Sequence, residues 1–381
     1  MGPLAGLKVV EFAAAGPVPF CAMLLADMGA EVVRIDRVEV VELGITQDPR
    51  HELNLRNRRS IALDLKSPDG LSVMRRLIAA ADILLEGFRP GVMERLGLGP
   101  EDCAGFNAGL IYGRMTGWGQ DGPLAQAAAH DINYIAFAGA LNYLGPADGP
   151  PLPVPMGWLG DLSGGALYLA FGVVCALQER SRSGLGQVVD ASVIDGITSL
   201  LTPTHGRRGG GSVGDHRGDH ATDGSRPWYR TYETNDGRWI SIGPIEGRFY
   251  AEFLAKVGLD KEDLPPPHER STWPELYRRF ADLFRSKTLN EWMELLDGTD
   301  ACFAPVLSLP EVVQHPHARQ RQMFVEFEGQ LHPAPAPRFS RSKPEIHSPP
   351  AMPGAHTEAV LESCGYSPAE IARLKANAAV K

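Results

Sequence analysis

The chain has 381 residues, 44% of them hydrophobic and 22% charged, with 37 Lys plus Arg against 46 Asp plus Glu, a net charge of −9. That length calls for two lobes of ordinary domain size or one domain with a large insertion. The composition excludes a disordered chain, and the acidic balance excludes a general nucleic-acid binder, because phosphate binding on that scale needs a basic excess.

Apolar runs and helical patterns alternate through the first third. Lys8–Phe12 reads as a buried strand, 20–28 as a helix and 31–35 as a second strand, and strands over 61–65, 82–86 and 110–115 continue the series. A helix over 70–80 follows the start signal Ser67-Pro68-Asp69. Such alternation predicts an α/β fold with a parallel sheet between helices. A long apolar helix is expected over 161–180 and another strand over 187–193, which closes a large lobe over 1–200. No apolar run reaches the roughly 18 residues of a spanning helix, and the N-terminus lacks the basic and apolar regions of a signal peptide. Five cysteines (Cys21, Cys103, Cys175, Cys302, Cys364) are odd in number, scattered and without a CxxC pair. They predict reduced thiols in the cytoplasm, not a disulfide frame.

The stretch 201–225, rich in Gly, His, Asp and Arg, reads as a linker. A smaller α+β lobe is expected over 226–317, with strands near 228–234 and 238–242 and helices near 248–257, 274–285 and 290–296. The Pro-rich segment from 318 onward reads as an extended return to the large lobe, ending in a helix that Ser367, Pro368 and Glu370 start as a capping box.

The unit over 8–35 is strand, tight turn, helix, strand, which offers a helix N-terminus to an anion. Its turn, Ala13-Ala14-Ala15-Gly16-Pro17, lacks the GxGxxG dinucleotide fingerprint. Arg37 directly after Asp36 suits a ribose phosphate better than a free ribose hydroxyl. Lys66, Arg89 and Arg95 also follow strand-like segments, so several cations are spaced as coenzyme A would need. Taken one at a time, each reads as a solvated surface charge.

Two glycine-rich segments mark the chemical end: residues 117–123 (GWGQDGP), which lead to HDINY at 130–134, and GDLSGG at 160–165. Gly164 and Gly165 inside a helix each cost about 1 kcal/mol against alanine, which predicts a close approach to the backbone. Asp161 also has the residue type and position of a helix N-cap, and that role is compatible with chemistry. His130 alone reads as a hydrogen-bonded turn histidine, and Glu246 as a surface carboxylate. The His- and Asp-rich run at 215–220 and the pair His315 and His317 have no recognised metal-ligand spacing and read as linker.

These segments resemble the alpha-methylacyl-CoA racemase branch of the CaiB/BaiF, or family III CoA-transferase, superfamily. The matching stretches include GPLAGLKVVEF, LLADMGAEVVRIDR, LDLKSPDG, LLEGFRPGVMERLGLGPE, HDINY, GDLSGG and GQVVDASVIDG, in order along nearly the whole chain. The resemblance implies a Rossmann-like large lobe and an interlocked homodimer, with the active site between the large lobe of one subunit and the small lobe of the other. It makes His130 and Asp161 the acid–base pair, has Glu246 support His130 across subunits, and puts Tyr229 near the acyl group. Arg37 would contact the ribose phosphate. Ala15, Leu63, Asp64, Leu65, Lys66, Gly87, Arg89 and Arg95 would line the coenzyme A groove. Ala129, Asp131, Ile132, Asn133 and Tyr134 would surround the thioester. One departure stands out: racemases of this type carry Asn four residues before the aspartate, where this chain has Gly157, followed by Trp158.

The implied reaction is racemisation at C2 of a 2-methylacyl-CoA. It needs two groups on opposite faces, each a base in one direction and an acid in the other, and donors for the enolate oxygen. The N-terminus of the Asp161 helix and its glycine-rich backbone are the expected donors. No metal or redox cofactor is expected, coenzyme A being part of the substrate; nor is a nucleic-acid or membrane partner. The rival chemistry is a CoA-transferase with Asp161 as nucleophile. A third class is a silent acyl-CoA-binding protein.

Overall fold

The apolar runs of the first two hundred residues pair as a six-stranded parallel sheet in a computed structural model that describes residues 1–39 and 48–381. Its strands are β1 (Lys8–Phe12), β2 (Glu31–Arg37), β3 (Arg58–Leu63), β4 (Ile83–Glu86), β5 (Ile111–Thr116) and β6 (Val188–Ser192), in the order β3-β2-β1-β4-β5-β6. Strand β4, ILLE, is buried at all four positions, as a parallel strand covered on both faces must be. Around the sheet run α1 (Pro17–Asp27), α2 (Pro68–Ala79), α3 (Val92–Arg95), α4 (Pro100–Phe106) and α5 (Asp131–Phe137). Helix α2 begins at Ser67 with Pro68 in its first turn and buries Val73, Met74, Leu77 and Ile78, a spacing that is one helical face.

Three elements start three residues upstream of their sequence reading, the first being α1, which begins at Pro17 rather than at residue 20. Strand β3 starts at Arg58, upstream of the apolar run, because polar residues hold core positions there. Arg58 lies 3.0 Å from Glu11 in an ion pair with both side chains at most 1% exposed, and the Ser60 hydroxyl donates to Asp36 at 2.6 Å. The expected apolar helix starts at Trp158 rather than Asp161. Its first stretch, Trp158–Ala166, is π-helical and continues into α6 (Leu167–Ser183). Asp161 therefore stands inside the helix, and Gly157, at φ 69, takes the N-cap position. The combined run Trp158–Ser183 is also long and apolar enough to cross a membrane by length and composition, which corrects the expectation that no segment would be. Its glycines pack it instead against α1, against β5 and against α7 (Val193–Leu200). A side chain at Gly165 would meet Pro17 Cβ at 3.0 Å and Met115 Cε at 3.1 Å, and one at Gly164 would meet Ile197 Cγ1 at 2.7 Å. Helix packing therefore accounts for both glycines.

The chain divides into two units. The first holds Met1–Ala138, Val154–Leu201 and Gln322–Lys381; the second holds Gly139–Pro153 and Thr202–Arg321. Residues 139–153 thus leave the large lobe in which the sequence reading put them. The 201–225 segment is no bare linker: it contains α8 (Thr202–Gly209), and ionic contacts fold the rest. Arg208 pairs with Asp215, Arg270 with Asp219 at 2.9 Å, and Arg217 donates to the carbonyls of Asn142, Pro146 and Gly149. Charge–charge order of this kind leaves no apolar periodicity to read. Elsewhere in the second unit, strands β7 (Arg230–Glu233), β8 (Trp239–Ile242) and β9 (Phe303–Pro305) form an antiparallel sheet. Helices α9 (Gly247–Val257), α10 (Trp273–Phe284) and α11 (Leu289–Leu296) pack on it around Tyr232, Phe253, Phe280 and Trp292. The return segment rejoins the first unit through a hairpin of Phe324–Phe327 and Gln330–Pro333. Its last helix, Pro368–Ala376, carries the Ser367–Glu370 capping box read from the sequence.

The tightest contact under the π-helical stretch is backbone on backbone: a Cβ at Gly196 would stand 1.8 Å from the Gly164 carbonyl oxygen. Gly196→Ala is expected to lower stability by about 1–3 kcal/mol, as overpacking of a filled core does, measured by thermal or urea unfolding. An unchanged midpoint would disprove the contact.

Candidate functional site

Strand order reverses between β1 and β4, which run side by side while their chains leave in opposite directions. In open α/β sheets such a reversal opens a crevice beyond the carboxyl ends of the strands. Here the turn at 13–16 leaves β1 and the loop at 87–90 leaves β4. A side chain at Gly87 would stand 3.0 Å from Val18 and 3.3 Å from the Ala14 methyl, so only glycine lets the two loops touch. The buried Glu86 carboxylate fixes the second loop by accepting the Phe88 N–H at 2.7 Å and Arg114 Nε at 2.9 Å. Burial holds the Glu86 carboxyl above its ordinary value, against the pull of those donors.

A cavity of about 260 Å³ opens at this edge, lined by 87–90 after β4, 116–118 after β5, Ala125, 127–130 and Tyr134. Tyr134 forms its wall. Its ring fills the space where a side chain at Gly117 would lie, 2.0 Å from that Cβ position, and its hydroxyl donates to the Ala129 carbonyl at 2.8 Å. Trp118 packs edge-on against Tyr134 at 4.9 Å and against Phe137 at 5.3 Å.

His130 is an exposed residue on the cavity wall and precedes α5 as its N-cap, its own N–H donating to Asn133 Oδ1 at 3.1 Å. Asp161 approaches from the π-helical stretch, which packs against α5. Its carboxylate lies beside the first turn of α1 and beside Gly157, 3.4 Å from the Cβ position of Gly16 and of Gly157. An Asn at 157 would therefore point an amide at this carboxylate, and this chain has none. Burial raises the Asp161 carboxyl to about 6, the Asp131 charge adds to the rise, and His130 opposes it. The Asp161 N–H donates to Asp131 Oδ1 at 2.7 Å, so it is not the open oxyanion donor expected from the sequence.

The other predicted residues fall into three groups. Arg37 ends β2, Lys66 and Arg89 follow β3 and β4, the parallel sheet brings these strand ends to one edge, and Arg95 ends α3. All four are exposed, and among the described residues none forms an ion pair, whereas Arg34, Arg56, Arg58 and Arg114 are paired and largely buried. Ala15 is exposed in the β1 turn, and Asp64 and Leu65 are half-buried after β3. Leu63 departs from the groove reading: its side chain is 2% exposed in the core and its backbone bridges Val380. Ile132 is exposed on α5. Tyr229 and Glu246 belong to the second unit, where Tyr229 packs on Gly243 and Glu246 is the exposed residue opening α9. Sequence reasoning passed over Phe88, Pro90, Thr116 and the alanines at 125, 127 and 128, which line the cavity with side chains too ordinary to stand out.

The raised carboxyl has a consequence for stability. The folded chain prefers Asp161 protonated, so its contribution is fully present below the ordinary value of 3.8 and is lost as pH rises through about 6. Asp161→Asn is expected to raise the Tm at pH 8 by about 2 °C, with a gain that shrinks toward pH 4. Calorimetry checks this, and a gain independent of pH would refute it.

Comparisons with known proteins show the family. Residues 4–357 match the family described as CoA-transferase family III. The alpha-methylacyl-CoA racemase of Mus musculus is 44% identical over 381 residues, covering 99% of this chain and 97% of that protein. The racemase of the same name from Homo sapiens is 42% identical over 385 residues, at 98% and 96% coverage. The crystal structure of a CAIB/BAIF family protein from Brucella suis has the same fold, with a TM-score of 0.79 over 95% of this chain and 99% of that one, at 24% identity. The chain belongs to CoA-transferase family III, and within that family it is similar along its whole length to the alpha-methylacyl-CoA racemases.

Proposed function

We propose that this protein racemises 2-methyl-branched acyl-CoA thioesters at C2 by carrying one proton between His130 and Asp161. The observation that carries the reading is an imidazole on the cavity wall and, within reach of its charge, a half-buried carboxyl raised to about 6, where it can both take and give a proton near neutral pH. The full-length likeness to two racemases supports it.

In one direction the Asp161 carboxylate removes the C2 proton and the His130 imidazolium delivers another to the opposite face. In the reverse direction the roles exchange. The pair holds one proton before and after each turnover, so activity fails when it holds two or none. The resulting profile is bell-shaped, with apparent values that belong to the pair. The enolate oxygen needs donors, and the Asp131 and Ile132 N–H groups that open α5 have no helical acceptor, the Asn133 N–H being bound to the His130 carbonyl at 2.8 Å. Arg37, Lys66, Arg89 and Arg95 take the coenzyme A phosphates at the sheet edge, with Ala15, Asp64, Leu65 and Gly87 along the groove and Leu63 acting through its backbone position only. The reaction moves protons alone and calls for no metal or redox cofactor. Five free thiols support a reducing compartment such as the cytoplasm.

Glu246 and Tyr229 enter from the second unit of a partner chain in an interlocked homodimer. A stripe on the Trp158–Ser183 run supports this assembly: Leu167, Phe171 and Val174, at helical spacing, are 48%, 69% and 45% exposed. An apolar face of that kind marks an interaction surface.

The test is pure protein with a chiral 2-methylacyl-CoA in deuterated water and no carboxylate acceptor. Deuterium at C2 and loss of optical purity are expected, and His130→Ala should slow both about 10³-fold. Absence of exchange, with coenzyme A moving to an added carboxylate, would make the protein a transferase. Binding with neither reaction would make it a silent binder. Sedimentation is expected to show a dimer that Phe171→Glu disrupts; a wild-type monomer would reject the shared site.

A further inference from the structure

We infer that Asp131 is a positioning residue for the proton-transfer pair, clamping the segment that carries Asp161 to the turn that carries His130; this rests on the reading just given. Asp131 follows His130 directly and opens α5, yet its carboxylate is not on the cavity wall. It lies across the backbone of the π-helical stretch instead. Oδ1 accepts the Asp161 N–H at 2.7 Å, and a Cβ at Gly160 would stand 2.3 Å from that same oxygen and 3.2 Å from Ile135 Cγ2. Gly160 is therefore required for Asp131 to reach its partner. A side chain at 160 would push α5 off the stretch and part the two proton carriers. The half-buried carboxylate makes a charge-assisted hydrogen bond to a backbone amide, which is short and directional and so fixes distance as well as contact.

The clamp also brings a negative charge to Asp161. From α5 come His130, Asp131 and the Tyr134 hydroxyl, which is turned to Ala129. Helix α1 carries Cys21 and Asp27, β6 carries Asp190, α6 carries Tyr168 and Cys175 with Glu179, Arg180 and Arg182 at its far end, and α7 carries Asp195, bound to the Ser192 hydroxyl at 2.6 Å. The charges acting on Asp161 are those of Asp131, which raises its carboxyl, and His130, which lowers it. Burial is the larger cause of the rise, and Asp131 adds to it while also fixing the position of Asp161.

Two substitutions separate these effects. Asp131→Asn keeps an oxygen for the Asp161 N–H and removes the charge; Asp131→Ala removes both. With 2-methylacyl-CoA in deuterated water, the Asn variant is expected to keep C2 exchange within a few-fold at its optimum. The acid limb of its pH profile should move down by roughly one unit. The Ala variant is expected to lose about 10²-fold in kcat, the size of effect that misplaced catalytic groups produce, with KM unchanged. If both variants behave alike and the acid limb stays where it is in the wild type, the inference fails. If the wild type shows no exchange at all, the racemase reading fails independently. The clamp is then judged by 13C NMR titration of the Asp161 carboxyl, assigned by its loss in Asp161→Asn. A lower midpoint in both variants, with a shift of the Asp161 carboxyl resonance in Asp131→Ala that Asp131→Asn does not share, upholds the clamp, and a carboxyl unmoved in both overturns it.

Discussion

The reversal of strand order between β1 and β4 is the constraint from which the rest of the site follows. Two parallel neighbours whose chains depart in opposite directions leave a gap that no crossover helix covers. Because all six strands run the same way, their ends share one edge of the sheet with that gap: the β1 turn, the cations Arg37, Lys66 and Arg89, and the loops that enclose the cavity. A meandering antiparallel sheet of the same sequence elements would scatter these groups over two edges. The topology does for Arg37 and Arg89 what their exposure alone does not, since it gives separated surface charges a common address.

The sheet holds that arrangement with charges inside as well as apolar contacts. Glu11, Arg34, Asp36, Arg58 and Ser60 form a connected polar cluster across β1, β2 and β3, where Arg34 meets both Glu11 and Asp36. Desolvation pushes the Glu11 carboxyl up while Arg58 and Arg34 pull it down. Removing one member would strand the others without water, a penalty larger than the net value of the intact cluster. Its ion pairs and hydrogen bonds tie the three strands to one another. They also explain why the start of β3 was not legible: hydrophobic pattern finds strands whose inside is apolar, and this one begins with a buried arginine.

Much of the rest was legible. Lys8–Phe12 agrees at both ends with its sequence reading, the parallel α/β class follows from alternation alone, and the C-terminal capping box forms as its residue types require. His130 and Asp161 were recognisable through glycine-rich neighbours and family resemblance, and the fold brings them to one end of the sheet. Their environment was not recognisable. Nothing in the composition of GDLSGG announces π-helical winding, and an aspartate before an apolar helix reads as a cap because that is the commonest use of the residue. Gly164 and Gly165 carried a true signal, close approach, whose object turned out to be neighbouring helices. The role of Asp131 required coordinates, since a carboxylate gripping a backbone amide thirty positions away leaves no periodic trace. The ionic folding of 201–225 was hidden for a similar reason: its contacts are specific pairs, and pairs are not patterns.

The π-helical winding of Trp158–Ala166 has an implication of its own. A ladder whose bonds skip one residue more than in an α-helix winds more slowly, so each residue along it has a different azimuth from the one it would take on a regular helix. Asp161 sits several residues upstream of the point where ordinary winding resumes at Leu167, and its compass bearing relative to α6 is the accumulated difference. Shortening this stretch by a residue would leave every side chain in place chemically and still turn the carboxylate toward another quarter of the molecule. The direction in which the Asp161 carboxylate leaves the helix is therefore encoded in main-chain pitch.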